Sequence, residues 1–223
     1  MMENTQQDLL VVSNKKDSSW QHPRPCIFMD RDGVIIEDTH FVSDPTKVVL
    51  CKGAKSFLET QGMLNNKVVV VTNQSGIGRR MFTWSEYHNV TQKMLELLGN
   101  QAKIDAVYAN SLLPKEFNGA SSWRKPGIGM LLAAERDLKI DVKRSILIGD
   151  RVTDMLAGWI AGVERLIMIT NKSKYDIEVE LQEIITQAPR DYASPSVEIV
   201  QKIEVHSCLS RVIIEQLCSA EVK

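Results

Sequence analysis

Two aspartates, Asp30 and Asp32, directly follow a short apolar run at residues 26–29 and precede Gly33. The apolar run predicts a buried strand, which puts both carboxylates at its carboxyl end. Two carboxylates one residue apart repel each other, and a bound Mg²⁺ ion is the common way in which proteins offset that repulsion. An isolated Asp-x-Asp is also typical of a solvated turn, so on its own the pair favours a turn over a functional site.

Four more polar residues hold similar positions along the chain. Thr72 follows a second apolar run and Asp150 follows another, with Asp154 four residues further on. Taken singly, Thr72 fits a turn hydroxyl and Lys125 fits a surface cation. The two aspartates fit a charge pair favoured by a helix dipole. Because all of them occur in order and close to element ends, the separate explanations weaken and a shared site becomes the better hypothesis.

Short apolar runs that alternate with helical patterns predict the elements that would position these residues. Strands are predicted at residues 26–29, 67–71, 104–108, 145–148 and 165–169, and helices at residues 54–62, 84–98, 129–138 and 153–161. This alternation indicates an α/β protein with a doubly wound, Rossmann-type parallel sheet. Ligands bind beyond the carboxyl ends of the strands in such sheets, so the polar residues would converge on one rim.

The charge and the cysteines of the chain exclude several classes of partner. There are 27 Lys and Arg residues against 28 Asp and Glu, a formal net charge of −1 without the basic excess that nucleic acids or anionic membranes require. The four cysteines are scattered, which fits neither a disulfide framework nor a zinc clip and favours a reducing compartment. No apolar run approaches the roughly 20 residues that cross a bilayer. We therefore predict a cytoplasmic protein that binds neither nucleic acid nor a membrane.

Four stretches, in this order, resemble the four motifs of the haloacid dehalogenase-type (HAD) phosphatases. They are FMDRDGVI at 28–35, VVVTNQSGI at 69–77, RKP at 124–126 and IGDRVTDM at 148–155. The resemblance covers about residues 26–170. Within the superfamily, the DRDG start, the TNQSGI loop and the RKP triplet are most similar to the D-glycero-D-manno-heptose 1,7-bisphosphate phosphatases and the histidinol-phosphate phosphatases. The spacings between the motifs leave no room for a large cap domain.

The resemblance implies a catalytic role for four side chains. Asp30 would attack phosphorus and form an aspartyl-phosphate, and Asp32 would act as general acid and then as general base. Thr72 and Lys125 would hold the phosphoryl oxygens. The identity of residue 32 favours a phosphatase, because the ATP-driven pumps of this superfamily carry Thr there and the dehalogenases lack the acid.

The resemblance also implies a Mg²⁺ site and a set of substrate contacts. The ion would be held by Asp30, the backbone carbonyl of Asp32 and Asp150, with Asp154 bracing the site. The candidate substrate-binding residues are Thr39, His40, Phe41, Asn73, Gln74, Ser75, Arg124 and Arg151. The heptose and histidinol phosphatases usually carry a zinc loop before the RKP triplet, but this chain has no Cys or His between His88 and His206, so we expect no structural zinc.

The predicted reaction is Mg²⁺-dependent hydrolysis of a small phosphorylated metabolite. A sugar phosphate such as D-glycero-D-manno-heptose 1,7-bisphosphate is the first hypothesis, and histidinol phosphate or another metabolite is the alternative. Outside the enzyme class, a phosphoacceptor signalling domain or a non-catalytic binding module would combine similar residues. Asp32 speaks against signalling, because an acid at that position promotes turnover of the phosphorylated aspartate.

Three regions are predicted along the chain. They are a polar, mobile leader at 1–24, a HAD-like phosphatase domain at 25–188 and a helical extension at 189–223. In the extension, Leu209, Ile213 and Leu217 recur at every fourth residue, which is one face of a helix. We expect this face to pack on the sheet, with a docking or dimer surface as the alternative, in a monomer or a weak homodimer.

Overall fold

A seven-stranded sheet forms the centre of the molecule. The computed structural model describes residues 6–11, 22–187 and 197–217. The strands are β1 (Gln7–Val11), β2 (Cys26–Met29), β3 (Lys67–Asn73), β4 (Ala106–Asn110), β5 (Ile146–Gly149), β6 (Arg165–Ile169) and β7 (Ile203–His206). They lie in the order β1-β4-β3-β2-β5-β6-β7. β1 runs antiparallel to β4, and every other neighbouring pair in this sheet is parallel.

Helices connect the strands and cover the sheet. They are α1 (Ala54–Met63), α2 (Ser75–Gly78), α3 (Trp84–Leu98), α4 (Gly129–Leu138), α5 (Val152–Ala161), α6 (Lys174–Gln187) and α7 (Val197–Lys202). Short 3-10 turns lie at Pro45–Lys47, Pro114–Glu116, Val142–Arg144 and Leu209–Arg211. This arrangement confirms the predicted α/β fold with a doubly wound, mostly parallel sheet.

Both faces of the central strands are buried. All four residues of β2 are 0% exposed, and successive side chains point to opposite faces of the sheet. Phe28 therefore joins the apolar layer formed with α4 and α5, whereas Ile27 and Met29 join the layer formed with α1 and α3. Burial on two sides explains why β2 and β3 consist of near-continuous apolar runs.

The predicted element boundaries agree with the structure to within about two residues. β3 and β4 end two residues later than predicted, at Asn73 and Asn110, so Thr72 belongs to β3 instead of following it. A capping box stabilises the start of α3: Thr83 Oγ1 accepts from the Glu86 N–H at 3.2 Å, and Glu86 Oε2 accepts from the Thr83 N–H at 2.7 Å.

The prediction of a mobile leader at residues 1–24 is wrong for residues 7–11. This segment is β1, which pairs with β4 at the edge of the sheet. Asp8 Oδ2 also lies 2.9 Å from His88 Nε2 on α3. A short run such as Leu9–Leu10–Val11 has too little apolar surface to fold alone, but it becomes a stable strand when a sheet edge supplies its hydrogen bonds. Most of the remaining leader lies outside the described residues.

The prediction that Leu209, Ile213 and Leu217 form one face of a helix in the C-terminal extension is also wrong. All three residues lie in the part of the chain that the structure describes. After α7 the chain forms β7 at the far edge of the sheet, then a 3-10 turn, and residues 212–217 are neither helix nor strand. Val212 and Ile214 are buried whereas Ile213 is 81% exposed, an alternation typical of extended backbone and favoured by β-branched residues. Asn66 fixes the end of this segment, because its Oδ1 accepts the Leu217 N–H at 2.7 Å.

The described range 22–187 holds no separate cap domain between β2 and β3 or between β3 and β4. The first connection consists of a loop, a 3-10 turn and α1, and the second of α2, α3 and a short loop. The rim at the carboxyl ends of the strands is therefore covered only by local loops. Among the described residues, no helix combines the length and the apolar character that a membrane crossing requires.

Candidate active site

The predicted catalytic residues meet where β2, β3 and β5 end. Asp30 follows β2, and its N–H donates to the Ile148 carbonyl of β5 at 2.9 Å. Asp150 follows β5, and Thr72 is the second-to-last residue of β3. A cavity of about 360 Å³ opens at this rim, with Asp30, Asp32 and Lys125 among the residues that line it.

The buried ammonium of Lys125 lies between two carboxylates. Its Nζ is 2.9 Å from Asp30 Oδ1, 2.5 Å from Asp154 Oδ1 and 2.7 Å from the Val71 carbonyl oxygen, and the residue is only 2% exposed. Asn73 anchors the lysine backbone, since its side chain accepts the Lys125 N–H at 3.0 Å and donates to the Lys125 carbonyl at 3.1 Å. Burial opposes the positive charge, but Asp154 and Asp30 outweigh it and raise the pKa of Lys125. The lysine is therefore a fixed cation.

Lys125 does not neutralise the acid groups around it. Oxygens of Asp30, Asp150 and Asp154 all lie within 4.8 Å of one another. Burial, followed by repulsion from Asp30 and Asp154, raises the pKa of Asp150 to about 8. Burial also raises the pKa of Asp30 to about 6, even though Lys125 pulls it down. Burial and the mutual repulsion of these carboxylates thus disfavour their charged forms by more than the nearby Lys125 and Arg151 offset.

This carboxylate group fits a divalent cation. The buried Oδ1 of Asp150 has no hydrogen-bond partner among the described residues, so an acceptor stands ready for a positive charge. Its other oxygen lies beside Gly33, where a Cβ atom would come within 2.4 Å of it and where φ is +81°. Only glycine leaves this carboxylate in place. Hard oxygen donors in a tight group suit Mg²⁺.

Asp154 differs from the other two acids because both of its oxygens are bonded. Oδ1 contacts Lys125, and Oδ2 accepts the Arg151 N–H at 3.0 Å. Next to it, a Cβ at Gly149 would come within 2.3 Å of the Asp154 Cβ. Asp154 lies close enough to Asp30 and Asp150 to bind the same cation. Its two bonds also match the predicted role of supporting the metal site without binding the ion, and this role stays a prediction.

Asp32 lies in different surroundings from Asp30. Arg31 donates to both of its oxygens, from Nη2 to Oδ1 at 3.0 Å and from Nε to Oδ2 at 3.2 Å. Gln74 Nε2 donates to Asp32 Oδ2 at 2.7 Å and to Thr72 Oγ1 at 2.8 Å. The carboxylate of Asp32 is thereby held by an arginine and an amide, while its side chain stays 22% exposed to the cavity.

Arg31 lines the cavity and is a residue that sequence reasoning did not single out. It is 1% exposed, and its guanidinium also donates to Thr91 Oγ1 at 3.2 Å and lies 4.8 Å above the Tyr87 ring. Burial opposes its charge, but Asp32 outweighs that cost and raises the pKa of Arg31. The available signal was an arginine between two acids at the end of a buried strand, but its hydrogen-bond partner on α3, Thr91, lies 60 residues away in the sequence.

The predicted substrate contacts occupy the walls of the cavity with one exception. Those that line it are His40, Phe41, Asn73, Gln74, Ser75, Arg124 and Arg151. Thr39 is exposed and is not among the lining residues, and the side chains of Asn73 and Gln74 are already engaged by Lys125 and Asp32.

Three further arginines line the same cavity and form a positive wall. Arg124 and Arg151 line the cavity as predicted, together with Arg79, which sequence reasoning did not single out. Burial, and then repulsion from Arg151 and Arg79, lowers the pKa of Arg124 to about 10. Arg124 Nη1 donates to the Leu112 carbonyl at 2.8 Å, and Arg151 Nη2 donates to Asp38 Oδ2 at 2.9 Å. Cations that repel one another in this way form a site for an anion.

The loop after β2 forms one lip of the cavity. His40 and Phe41 have φ values of 58° and 60°, a left-handed conformation that costs energy for residues other than glycine. The His40 N–H donates to Asp38 Oδ1 at 3.0 Å, which fixes the turn. Phe41 packs so closely on Gly76 that a Cβ there would come within 2.7 Å of its ring. The lip is thus held in one shape although His40 is almost fully exposed.

Comparisons with known proteins agree with this geometry. The sequence profile of the family described as polynucleotide kinase 3 phosphatase matches residues 26–206. The D-glycero-beta-D-manno-heptose-1,7-bisphosphate 7-phosphatase of Mesorhizobium japonicum is 38% identical over 148 residues, which cover 62% of this chain and 66% of that protein. The D-glycero-alpha-D-manno-heptose-1,7-bisphosphate 7-phosphatase of Burkholderia mallei is 32% identical over 170 residues, or 74% of this chain and 89% of that protein.

Solved structures share the fold. A HAD-like phosphatase from Mesorhizobium loti has a TM-score of 0.67 at 29% identity and covers 85% of this chain and 98% of its own. The D,D-heptose 1,7-bisphosphate phosphatase of B. bronchiseptica, solved with magnesium and phosphate, has a TM-score of 0.65 at 23% identity and covers 83% of this chain and 94% of its own. By sequence and by fold, this chain belongs to the polynucleotide kinase 3 phosphatase family of HAD-like phosphatases.

Proposed function

We propose that this chain is a Mg²⁺-dependent phosphomonoesterase that acts through an aspartyl-phosphate on Asp30. The observation that carries the proposal is the close group of Asp30, Asp150 and Asp154, which combines an Asp150 oxygen without a hydrogen-bond partner among the described residues and a contact to the Lys125 ammonium. Such a site combines a carboxylate nucleophile with cations that offset the charge of a phosphate.

The first step is attack by a carboxylate on a phosphate dianion, which is disfavoured unless charge is neutralised. A Mg²⁺ ion held by Asp30, Asp150 and the backbone carbonyl of Asp32 supplies part of that positive charge when it is bound. Lys125 fixes the orientation of Asp30 and supplies another positive charge. Thr72 would donate its hydroxyl to a phosphoryl oxygen.

Asp32 serves both halves of the reaction in this proposal. As the bond between phosphorus and the leaving oxygen breaks, Asp32 gives that oxygen a proton and becomes a carboxylate. The same carboxylate then takes a proton from water as the water oxygen attacks phosphorus, which frees Asp30 and releases inorganic phosphate. The partial exposure of the Asp32 side chain to the cavity supports this role.

The proposed substrate is a sugar bisphosphate, most specifically D-glycero-D-manno-heptose 1,7-bisphosphate. The names of the relatives at 32% and 38% identity support this choice. The arginine wall supports it independently, because Arg79, Arg124 and Arg151 would bind a second anionic group near the one that reacts. Histidinol phosphate or another phosphorylated metabolite remains the alternative within the same chemistry.

A nucleic-acid 3′-phosphate is a second candidate, because the description of the matched family includes polynucleotides. The formal net charge of −1 argues against it, since the sequence has no basic excess to bind a phosphate backbone. A 3′-phosphorylated oligonucleotide therefore belongs in the substrate comparison.

The experiment is a comparison of kcat/KM at matched substrate concentration, with Mg²⁺ or with EDTA. The substrates are heptose 1,7-bisphosphate, histidinol phosphate, a 3′-phosphorylated oligonucleotide and p-nitrophenyl phosphate. We expect hydrolysis only with Mg²⁺ and a preference for the heptose bisphosphate on the order of 10²-fold. A phosphorylated protein that accumulates without turnover would indicate a signalling domain, and no reaction with any substrate would refute the phosphatase.

We also propose that the protein is cytoplasmic and a monomer or weak homodimer.

A further inference from the structure

We propose that Arg31 is a positioning residue that holds the Asp32 carboxylate in the orientation from which it protonates the leaving group. The inference rests on the proposed phosphatase function and extends it to a side chain that has no contact with the carboxylate group of Asp30, Asp150 and Asp154. It concerns the step in which the leaving oxygen departs.

The contact between Arg31 and Asp32 is a two-point contact. Nη2 and Nε reach different oxygens of the same carboxylate, at 3.0 Å and 3.2 Å. A planar guanidinium that bonds both oxygens fixes the rotation of the carboxylate as well as its position. A lysine ammonium carries the same charge but acts as a single point, so it cannot impose that rotation.

The guanidinium is itself fixed from the opposite side. Thr91 Oγ1 accepts from Nη1 at 3.2 Å, and the Tyr87 ring lies 4.8 Å below the guanidinium carbon. Gln74 Oε1 accepts from Nη2 at 3.2 Å while its amide nitrogen donates to Asp32. Arg31 is 1% exposed and Thr91 is 0% exposed, so water does not compete for these bonds. α3 therefore acts as a rigid support for the acid.

Asp32 needs such support because the nearby Asp30 carries the same charge. It stands two residues from Asp30, and its side chain is open to the cavity on one side. Among the described residues, Gln74 and Thr72 would be the remaining hydrogen-bond partners of the carboxylate without the arginine, and the Thr72 contact is long at 3.5 Å. A general acid that can rotate spends less time aligned with the leaving oxygen.

The dependence of the rate on the leaving group distinguishes this role from a structural one. An alkoxide requires a proton as it departs, whereas p-nitrophenolate is a stable anion and requires little help. The quantity to measure is kcat/KM, which reports the steps up to phosphoryl transfer. The substrates are p-nitrophenyl phosphate and the best alkyl phosphate from the substrate comparison. For Arg31→Lys we expect kcat/KM to fall on the order of 10- to 100-fold for the alkyl ester and less than about threefold for the aryl ester.

Arg165 provides a matched control. It lies at the start of β6, at the opposite end of the sheet from the cavity, and it also bonds both oxygens of one carboxylate, with Nε and Nη2 at 2.8 Å and 2.9 Å from Glu204. Arg165→Lys removes the same type of two-point contact, and we expect the ratio of the two kcat/KM values to stay at its wild-type level.

Thr91→Val provides a second, milder test that leaves Arg31 in place. It removes the hydroxyl that accepts from Nη1 and keeps the size of the side chain, so the ratio should change by about threefold in the same direction. This variant decides the question if Arg31→Lys does not fold. Equal losses for the two esters, or an unchanged ratio in a folded variant, would overturn the role of Arg31. Hydrolysis of neither ester by the wild-type protein would instead refute the proposed function itself.

Discussion

A single residue separates Asp30 from Asp32, yet the protein gives the two side chains different surroundings. Asp30 is buried beside Asp150 and Asp154, and burial and repulsion between the carboxylates disfavour their charged forms despite the lysine among them. Asp32 is gripped at both oxygens by an arginine and is partly exposed. The first arrangement suits a group that must attract a metal ion and a phosphate, and the second suits a group that must exchange a proton at a fixed position. Two identical side chains at the end of one strand can thus be suited to different roles by their surroundings.

The largest effect should follow from Asp30→Asn. An amide cannot form the aspartyl-phosphate, so we expect phosphate release to fall on the order of 10⁴-fold or more. The measurement is steady-state hydrolysis of p-nitrophenyl phosphate with Mg²⁺. Asp141→Asn is a suitable control, because Asp141 precedes β5 at the end opposite to Asp150 and should leave the rate unchanged. Retained turnover in the Asp30 variant would rule out the nucleophile.

Asp32→Asn tests the other half of the comparison. It removes the proton donor and acceptor but leaves the Asp30 group intact, so we expect kcat to fall roughly 10²- to 10³-fold while Mg²⁺ binding is retained. The check combines kcat with a Mg²⁺ titration followed by thermal melting. Loss of the metal response in this variant would mean that the two acids do not have separate roles.

Asp150→Asn should weaken activity in a way that added metal partly restores. The loss should be about 10²-fold at low Mg²⁺ and should shrink as the Mg²⁺ concentration rises, because one ligand is weakened and others remain. In EDTA the same variant should melt a few degrees higher than wild type, since a repelled carboxylate has been removed. A melting temperature that falls in EDTA would contradict the view that the metal-free group is repulsive.

The smallest effect concerns the pH dependence of the metal-free protein. The pKa of Asp150 is raised to about 8 and that of Asp30 to about 6, from an ordinary value of 3.8. Between the ordinary value of 3.8 and these raised pKa values, the folded state holds protons that the unfolded chain has released. The free energy of unfolding therefore falls as the pH rises through this range. Denaturant unfolding in EDTA at about pH 5 and about pH 8.5 should show the decline, and Mg²⁺ should diminish it by replacing those protons. Stability that rises with pH in EDTA would overturn the raised pKa values.

The sequence could predict the parts of the site that are local to a strand end. Asp30, Thr72 and Asp150 lie where short apolar runs stop, and a parallel sheet brings such ends together whatever the intervening loops do. Arg31 could not be interpreted in the same way, because its function depends on Thr91 and Tyr87 from another helix. Contacts between elements distant in sequence leave no periodic pattern in either one.

The same distinction between local pattern and distant contact applies to the elements of the fold. The buried central strands were predictable from their apolar runs, whereas β1 and β7 exist only because an edge of the sheet offers them partners. The spacing of Leu209, Ile213 and Leu217 satisfied a helical period, yet burial at Val212 and Ile214 selected extended backbone. Local pattern is a weak guide where tertiary contact supplies the stabilisation.

β1 also has a practical consequence for shortened or tagged versions of this protein. It runs antiparallel along β4 and covers backbone groups that would otherwise form an open sheet edge. A shortened version that starts after residue 11 would present that edge to other molecules in solution and would tend to self-associate. Affinity tags are better joined ahead of this strand than substituted for it.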